Sequence, residues 1–342
     1  LNRNKPSGVR REGSGEKRWG SAGGAVPHLA LLLPEWLSAD GAELAFRDRG
    51  GAFGDAGQEQ DGFLETSAPA QPGGYIRPLG SELAAGQLIL EQGAPVRPEH
   101  LPLLAEAGLS SLAVARRPKV AVLCTGSELL EVASSPRQGE IIGGNRFLLG
   151  ALIEEAHGLP CPGALVPDRP QELHHALRRI LDDEVDLVLT TGGMGPGKYD
   201  LVAEALAKLG VDLMYHSLLV RPGKATLFGR LRNTLFFALP GPPPAVRLLF
   251  EELVRPALLQ AQGHRRPLPP LLQATLTRPI TLSRRGLLNL KGGVLTSKRS
   301  RLWVRPAERL EPLNAILLIP PHRRRLKEGE AVMLHSRLQG IV

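Results

Sequence analysis

Val185-Asp186-Leu187-Val188-Leu189-Thr190-Thr191-Gly192-Gly193-Met194-Gly195-Pro196-Gly197 runs a near-continuous apolar segment straight into a glycine-rich turn. A strand with no wet face is the mark of a parallel strand covered by helices on both sides. Beyond the turn, Leu201, Val202, Ala205, Leu206 and Leu209 recur at helical spacing, and Gly210 closes that helix. The same order precedes it. A β-branched run (Val120, Val122, Leu123) leads to a helix from Asn145 whose inner face is read as Leu148, Ala151, Leu152 and Ala156, closed by Gly158. Leu165-Val166 then leads to a helix from about Arg169. Strands alternating with helices predict an α/β domain. Further strands are expected at 213–220, 226–231 and 235–239, followed by a long helix over 244–260, so the domain is placed at 118–262.

On either side the text changes. Residues 263–342 alternate short apolar runs (271–277, 302–304, 315–319, 331–334) with turns, which predicts a small all-β domain. Residues 73–117 read as a connecting lobe, with a strand at 87–91 and a short helix opened by Arg97-Pro98-Glu99-His100 and ending before Gly108. Residues 1–72 are Gly-, Ser- and Arg-rich, with one apolar patch over 29–37. No stable element is legible there, and a poorly ordered or degenerate segment is expected.

Composition narrows the function. Two cysteines in 342 residues, Cys124 and Cys161, form no Cys-x-x-Cys and exclude a disulfide framework or a structural zinc finger; a reducing cytoplasm fits. No run approaches the roughly 18–20 apolar residues of a spanning helix, so no membrane role is expected. The net charge of +8 comes from one region: 1–117 hold 12 basic and 14 acidic residues, 118–262 hold 14 and 16, and 263–342 hold 16 and 4. Without interleaved aromatics or a nucleic-acid motif this basic domain reads as a solvated face.

The chemistry is therefore sought in the α/β domain. Glycines at 192, 193, 195 and 197 allow backbone N–H groups to close around an anion at a helix N-terminus, the physical basis of a phosphate site; a tight strand-to-helix turn is the other reading. The segment is neither a P-loop nor a Gly-x-Gly-x-x-Gly fingerprint. Glu128, Asp168, Asp200 and, more weakly, Asp212 follow the ends of strands, where open α/β sheets bind ligands. Carboxylates converging on a phosphate call for a divalent cation such as Mg²⁺. Asp168 with Gln171 also fits a capping box, and Asp200 begins a helix, so helix caps compete with the ligand reading for both. Arg221-Pro222-Gly223-Lys224 sets two cations around a turn, as an oxyanion clamp would, a surface turn being the other reading, and Leu239-Pro240-Gly241-Pro242-Pro243-Pro244 is a rigid bend feeding the last helix.

Taken in order, these motifs resemble the molybdopterin molybdenumtransferase family, which includes the E domain of gephyrin. They are 119–129, 139–146 (Gly-Glu-Ile-Ile-Gly-Gly-Asn-Arg), Val166-Pro167-Asp168, 191–200, 221–224 and Leu239-Pro240-Gly241. Residues 75–82 resemble the family's linker lobe, and 313–321 with Gly329-Glu330 its C-terminal β domain. The resemblance implies a cytoplasmic, homodimeric transferase with a three-layer, mostly parallel molybdopterin-binding domain. That enzyme inserts molybdate into adenylylated molybdopterin, with Mg²⁺, and releases AMP.

By matching motif, Asp200, Glu128, Asp168 and Lys224 would be catalytic, and Asp200 and Glu128 would hold metal. Thr125, Gly126, Thr191, Gly192, Gly193, Gly195, Gly197, Arg221, Pro240 and Gly241 would bind the pterin, its phosphate or molybdate. A molybdopterin adenylyltransferase or a molybdoenzyme chaperone is the partner the resemblance implies, rather than a nucleic acid. The chain departs from the family in several places. The family's N-terminal Asp-Gly-Tyr-Ala has no counterpart before Gly73, Ser127 stands where Asp is usual, the glycine loop is recast, and Arg221 replaces Lys. Two alternatives follow: a non-catalytic molybdopterin-binding relative, and a molybdopterin adenylyltransferase-like or competence-damage-like nucleotide enzyme.

Overall fold

The computed structural model describes residues 77–193, 201–283, 286–308 and 311–337, and the backbone of 57–60 and 63–66. The chain divides into two compact units, one comprising residues up to Gln92 with Pro98–Gly108, the other Gly93–Arg97 with residues from Leu109 onward. In the first, β1 (Gly57–Gln60) and β2 (Phe63–Thr66) form an antiparallel hairpin where no element was expected. Helix α1 (His100–Glu106) forms as read, whereas 87–91 is extended chain without strand pairing. The lobe expected over 73–117 is thus shared between the two units.

The second unit opens with β3 (Lys119–Thr125), followed by the short parallel pair β4 (Leu129–Leu130) and β5 (Ile141–Ile142), and then α2 (Asn145–Glu155). The chain continues through β6 (Leu159–Pro160), β7 (Ala164–Val166), α3 (Pro170–Asp182), β8 (Leu187–Thr191) and α4 (Leu201–Lys208). After β9 (Asp212–Tyr215) and β10 (Val220–Arg221) come β11 (Leu227–Leu231) and β12 (Thr234–Leu239). The central sheet has the order β6-β3-β8-β12-β11-β9, with β7 also on β3; β3, β6, β7, β8 and β12 run parallel, β11 runs against them, and β9, antiparallel to β11, returns to the common direction.

Its two faces fill separate cores. Leu149, Leu152 and Ile153 of α2 cover one with Val246 and Leu249, while Leu173 and Leu177 of α3 and Val202 and Leu206 of α4 cover the other. At about 1.5–3 kcal/mol for each fully buried aliphatic side chain, these faces dominate the domain's stabilisation. The stripe on α2 is rotated from the one read in the sequence: Ala151 is exposed, and Leu149 and Ile153 point inward.

The strand expected over 213–220 is two. β9 ends at Tyr215, and β10 leaves the central sheet to pair in parallel with β15 (Leu288–Lys298) of the C-terminal domain. The final helix is likewise interrupted: α5 (Pro243–Leu249) and α6 (Arg255–Ala261) are joined by a π-helical segment, Phe250–Val254.

The C-terminal domain contains β13 (Leu271–Leu276), β14 (Ile280–Thr281), β15, β16 (Arg301–Pro306), β17 (Ala315–Ile319), β18 (Arg325–Leu326) and β19 (Ala331–Ser336). Pairing runs β15-β16-β13-β19-β17 and returns to β15, which closes a five-stranded barrel. Closure depends on β15 pairing β17 through Asn289–Gly293 and β16 through Gly293–Lys298. A Cβ on Gly293 would stand 2.3 Å from Leu317 Cδ1, so any side chain at this corner would force the buried Leu317 to shift.

Barrel and α/β domain share a charged seam. Glu251, 3% exposed on the π-helical segment, has Arg337 Nη2 3.0 Å from Oε1, with Arg247 and Arg255 at 3.9 and 4.0 Å. Arg337 also donates to Glu155 Oε2 at 2.7 Å, and His335 Nδ1 lies 2.7 Å from Glu252 Oε2.

Candidate active site

Strands β3, β8 and β12 are buried along almost their whole length and end together, with Cys124 opposite Thr191, Thr191 opposite Leu239 and Thr125 opposite Val166. Apolar residues give way to small polar ones at one level: Thr125, Thr190, Thr191, then Gly192 and Gly193. From β3 the chain proceeds to α2 on one face, and from β8 to α4 on the other. This divergence is a topological switch point, and the crevice between the two strand ends is where such sheets bind ligands.

The crevice is built from non-local contacts. Thr125 Oγ1 donates to Asp168 Oδ1 at 2.5 Å, Gly126 N to Val166 O at 3.1 Å, and Asp168 N to Ser127 Oγ at 3.2 Å. From the other side Asn145 Nδ2 donates to Gly241 O at 2.7 Å and to Thr191 Oγ1 at 3.3 Å, tying the first residue of α2 to the ends of β8 and β12. Gly192 N donates to Leu239 O at 3.2 Å.

The glycines are dictated by both conformation and space. Gly192 and Gly193 have φ of +89° and +64°; a Cβ on Gly192 would lie 2.0 Å from Thr125 O, and one on Gly193 2.8 Å from Thr125 Cγ2. Asn145 Oδ1 and Thr190 Oγ1 are buried and have no hydrogen-bond partner among the described residues. A buried unpaired acceptor or hydroxyl is costly, so such atoms suit a site completed by ligand or water.

The expected site residues fare differently. Asp168 does not cap α3: the N-cap is Arg169, no side-chain cap hydrogen bond forms there, and the carboxylate turns to Thr125 instead. The local Asp168–Gln171 pattern loses to a hydroxyl 43 residues away, which no short-range spacing reveals. Glu128 is exposed, its two carboxylate oxygens each 2.8 Å from where a Cβ on Gly126 would lie, so it folds back over the end of β3. Pro240 and Gly241 lie at the end of β12, with Gly192 Cα 3.9 Å from a Cβ position on Gly241.

Arg221 is held against the barrel, while Lys224 is exposed and its carbonyl accepts from Leu218 N at 3.1 Å. Arg221 pairs with Asn289 of β15 and its Nη1 donates to Ser283 Oγ at 3.4 Å, and Gly223 packs on Leu249 of α5. Gly195, Gly197 and Asp200 lie outside the described residues. Asn145, Ser127 and Thr190 stand inside the stretches quoted from the sequence but carry no site role there; the partners of Asn145 and Ser127 lie on distant segments.

Two further features set the local chemistry. Arg146 pairs with Glu131 and lies 4.7 Å over the Phe147 ring. Burial pushes the Cys124 thiol up against the opposing pull of its Thr191 hydrogen bond and the Arg146 charge, and burial likewise raises Cys161. Neither is an activated nucleophile. Among the described residues no group of three His, Cys, Asp or Glu could hold a metal ion.

The sheet, its switch point and the cradle at the strand ends define an α/β ligand-binding domain. The family model for a probable molybdopterin binding domain matches residues 121–260. The chain is 35% identical over 219 residues to the molybdopterin molybdenumtransferase of Haemophilus influenzae, covering 64% of this chain and 54% of the relative. It is 32% identical over 253 residues to molybdopterin molybdenumtransferase 2 of Mycobacterium tuberculosis, covering 69% and 62%. The fold matches a molybdopterin biosynthesis MoeA protein from Pyrococcus horikosii with a TM-score of 0.68 at 24% identity, over 83% of this chain and 70% of that one. The chain thus carries a probable molybdopterin binding domain over residues 121–260 and is similar over about two-thirds of its length to molybdopterin molybdenumtransferases. It spans between about half and two-thirds of the length of the curated relatives it matches.

Proposed function

We propose that this chain acts in molybdenum cofactor biosynthesis as a molybdopterin molybdotransferase, inserting molybdate into adenylylated molybdopterin with release of AMP. The observation that carries the reading is the convergence at the ends of β3, β8 and β12 of a glycine cradle, the Thr125–Asp168 pair and the Asn145 bridge. In this reading residues 118–262 are the molybdopterin-binding domain, 73–117 the linker lobe, 263–342 the β domain, and 1–72 a degenerate N-terminal segment.

Gly193 offers its backbone N–H to the pterin phosphate and Gly192, its own N–H held by Leu239 O, leaves room for the close approach; Gly195 and Gly197 are assigned to the same phosphate, with Thr125, Gly126, Thr191, Pro240 and Gly241 shaping the crevice. Asp168 holds the Thr125 hydroxyl and thereby orients it. Arg221 and Lys224 attract the incoming oxyanion from the barrel side. The carboxylates of Glu128 and Asp200 are hard oxygen donors, and Mg²⁺ is bound by one or two such carboxylates together with substrate phosphates and water, so this donor set fits the ion. When bound it supplies charge neutralisation to the phosphoanhydride oxygens. A cytoplasmic homodimer working with a molybdopterin adenylyltransferase or a molybdoenzyme chaperone completes the reading.

The test is a single-turnover incubation with adenylylated molybdopterin, Mg²⁺ and molybdate, following AMP release with and without molybdate and repeating it with Asp200→Ala. Molybdate-dependent release that fails in the variant is expected. Pterin binding without release overturns the transferase reading, and absence of pterin binding overturns the site itself.

A further inference from the structure

We propose that the C-terminal barrel carries a second anion site, a cavity lined by Thr281, His322, Arg323, Arg324 and Arg325 that binds a tetrahedral oxyanion, either free or as a phosphate monoester. None of its residues belongs to the strand-end crevice, so the proposal stands whether or not the transferase reading holds.

Three observations support it. The first is charge: the barrel domain carries 16 basic residues against 4 acidic ones, and three consecutive arginines line this one cavity of about 390 Å³. That volume lies within the usual range for small-molecule sites.

The second is how few of these cations are neutralised. Arg323 pairs with Glu330, while Arg324 Nε donates to Leu282 O at 3.3 Å, a neutral carbonyl. Glu330 and Glu328 are the acidic residues in this hairpin. Arginines gathered without matching carboxylates repel one another in the free protein, and an anion between them relieves that repulsion with bidentate hydrogen bonds.

The third is rigidity. β18 pairs with β14, which sets Arg325 directly across from Thr281. Leu282 N donates to Arg324 O at 2.8 Å, Arg323 N to Pro320 O at 3.0 Å, and the buried Leu326 anchors the hairpin in the barrel core. Backbone positions fixed this way keep Thr281, Arg323, Arg324 and Arg325 at the wall of one cavity before any ligand arrives, which lowers the ordering cost of binding. A merely solvated face has no need of such an arrangement.

The experiment is calorimetric titration of the full chain with inorganic phosphate, molybdate and AMP at constant ionic strength. One bound anion per chain is expected at this site, in addition to any that the strand-end crevice takes up and that Asp168→Ala weakens. The Arg324→Ala/Arg325→Ala variant weakens it roughly ten- to hundredfold, as expected for the loss of charge-assisted hydrogen bonds. Because Arg324 also holds Leu282, Arg325→Gln is the companion variant that leaves the hairpin's own contacts in place. Thr281→Val leaves the charge unchanged and removes one hydroxyl. A several-fold loss there separates a built site from diffuse attraction, which responds to charge alone. Asp168→Ala, at the other site, leaves this affinity as it was. AMP binding more tightly than phosphate identifies a monoester ligand, and equal affinity identifies a free oxyanion. The proposal is overturned if the arginine variants bind like the parent, if Thr281→Val changes nothing, or if no anion binds.

Discussion

The strand-end crevice and the seam between the two domains are both polar clusters at the edge of an apolar core, yet one is built from Thr, Asn, Ser and Gly around a single Asp and the other from Glu, Arg and His. At the seam, charge answers charge: Glu251 is set among Arg337, Arg247 and Arg255, Glu155 takes a second bond from Arg337, and Glu252 faces His335. At the crevice the polar groups are arranged but not consumed. Asp168 is exposed and accepts from Thr125 with one oxygen, while Asn145 Oδ1 and Thr190 Oγ1 have no partner among the described residues. Neither cluster is fully hydrogen-bonded, since Glu251 Oε1, Glu252 Oε1, Arg247 Nε and Arg337 Nε at the seam also lack a partner among the described residues; what separates the two is charge, because the seam packs opposite charges together while the crevice gathers mostly neutral donors and acceptors beside glycine.

The largest effect should come from breaking the seam. Glu251→Ala leaves three arginines around a vacated, nearly dry position, and removing one partner of a buried charge cluster costs about 3–5 kcal/mol. Urea denaturation should show that loss, with ligand affinity per folded molecule unchanged. Next comes Asn145→Ala, which strands Gly241 O and Thr191 Oγ1 and should cost about 1–3 kcal/mol while also weakening pterin binding, because α2 loses its tie to β8 and β12. Smaller in stability is Asp168→Ala, within about 1 kcal/mol because the side chain is exposed, but with a loss of at least about tenfold in affinity or in AMP release. If Asp168→Ala destabilised the chain as much as Glu251→Ala does, the two regions would not differ in kind.

The crevice was more legible in the sequence than the seam, and the reason is range. Strand ends are announced locally, by an apolar run stopping at Thr125-Gly126 or Thr191-Gly192, so most residues of the cradle were found without the fold. Partnerships across the chain were not. Asp168 looked like a helix cap because its competitor Thr125 is 43 positions away. The seam joins Glu252 to His335 across 83 positions, and neither residue has a telling neighbour. Strand β15, the longest in the barrel, was missed because Lys291, Gly292, Gly293, Thr296, Ser297 and Lys298 break any apolar run. Its logic is closure, with two glycines letting one strand serve two partners, and that pattern has no two-residue period.

The smallest prediction sharpens the contrast through pH. Burial pushes the Glu251 carboxyl up from its ordinary value and outweighs the opposing pull of Arg337, Arg255 and Arg247. Between the unfolded value, near 4.3, and the raised folded one, the native state holds a proton that the unfolded chain has lost. Fewer protons in the unfolded state mean that stability falls as pH rises through that window, and that this component is restored as pH drops back below it. Glu251→Gln removes the titration while keeping the shape, so the parent should lose ground to the variant as pH rises from about 4.5 to 7 in parallel urea titrations. The opposite trend, with the parent gaining on the variant as pH rises, would mean that the arginines hold the carboxyl below its ordinary value. The seam would then draw net stability from its ion pairs rather than merely balancing the cost of burying them.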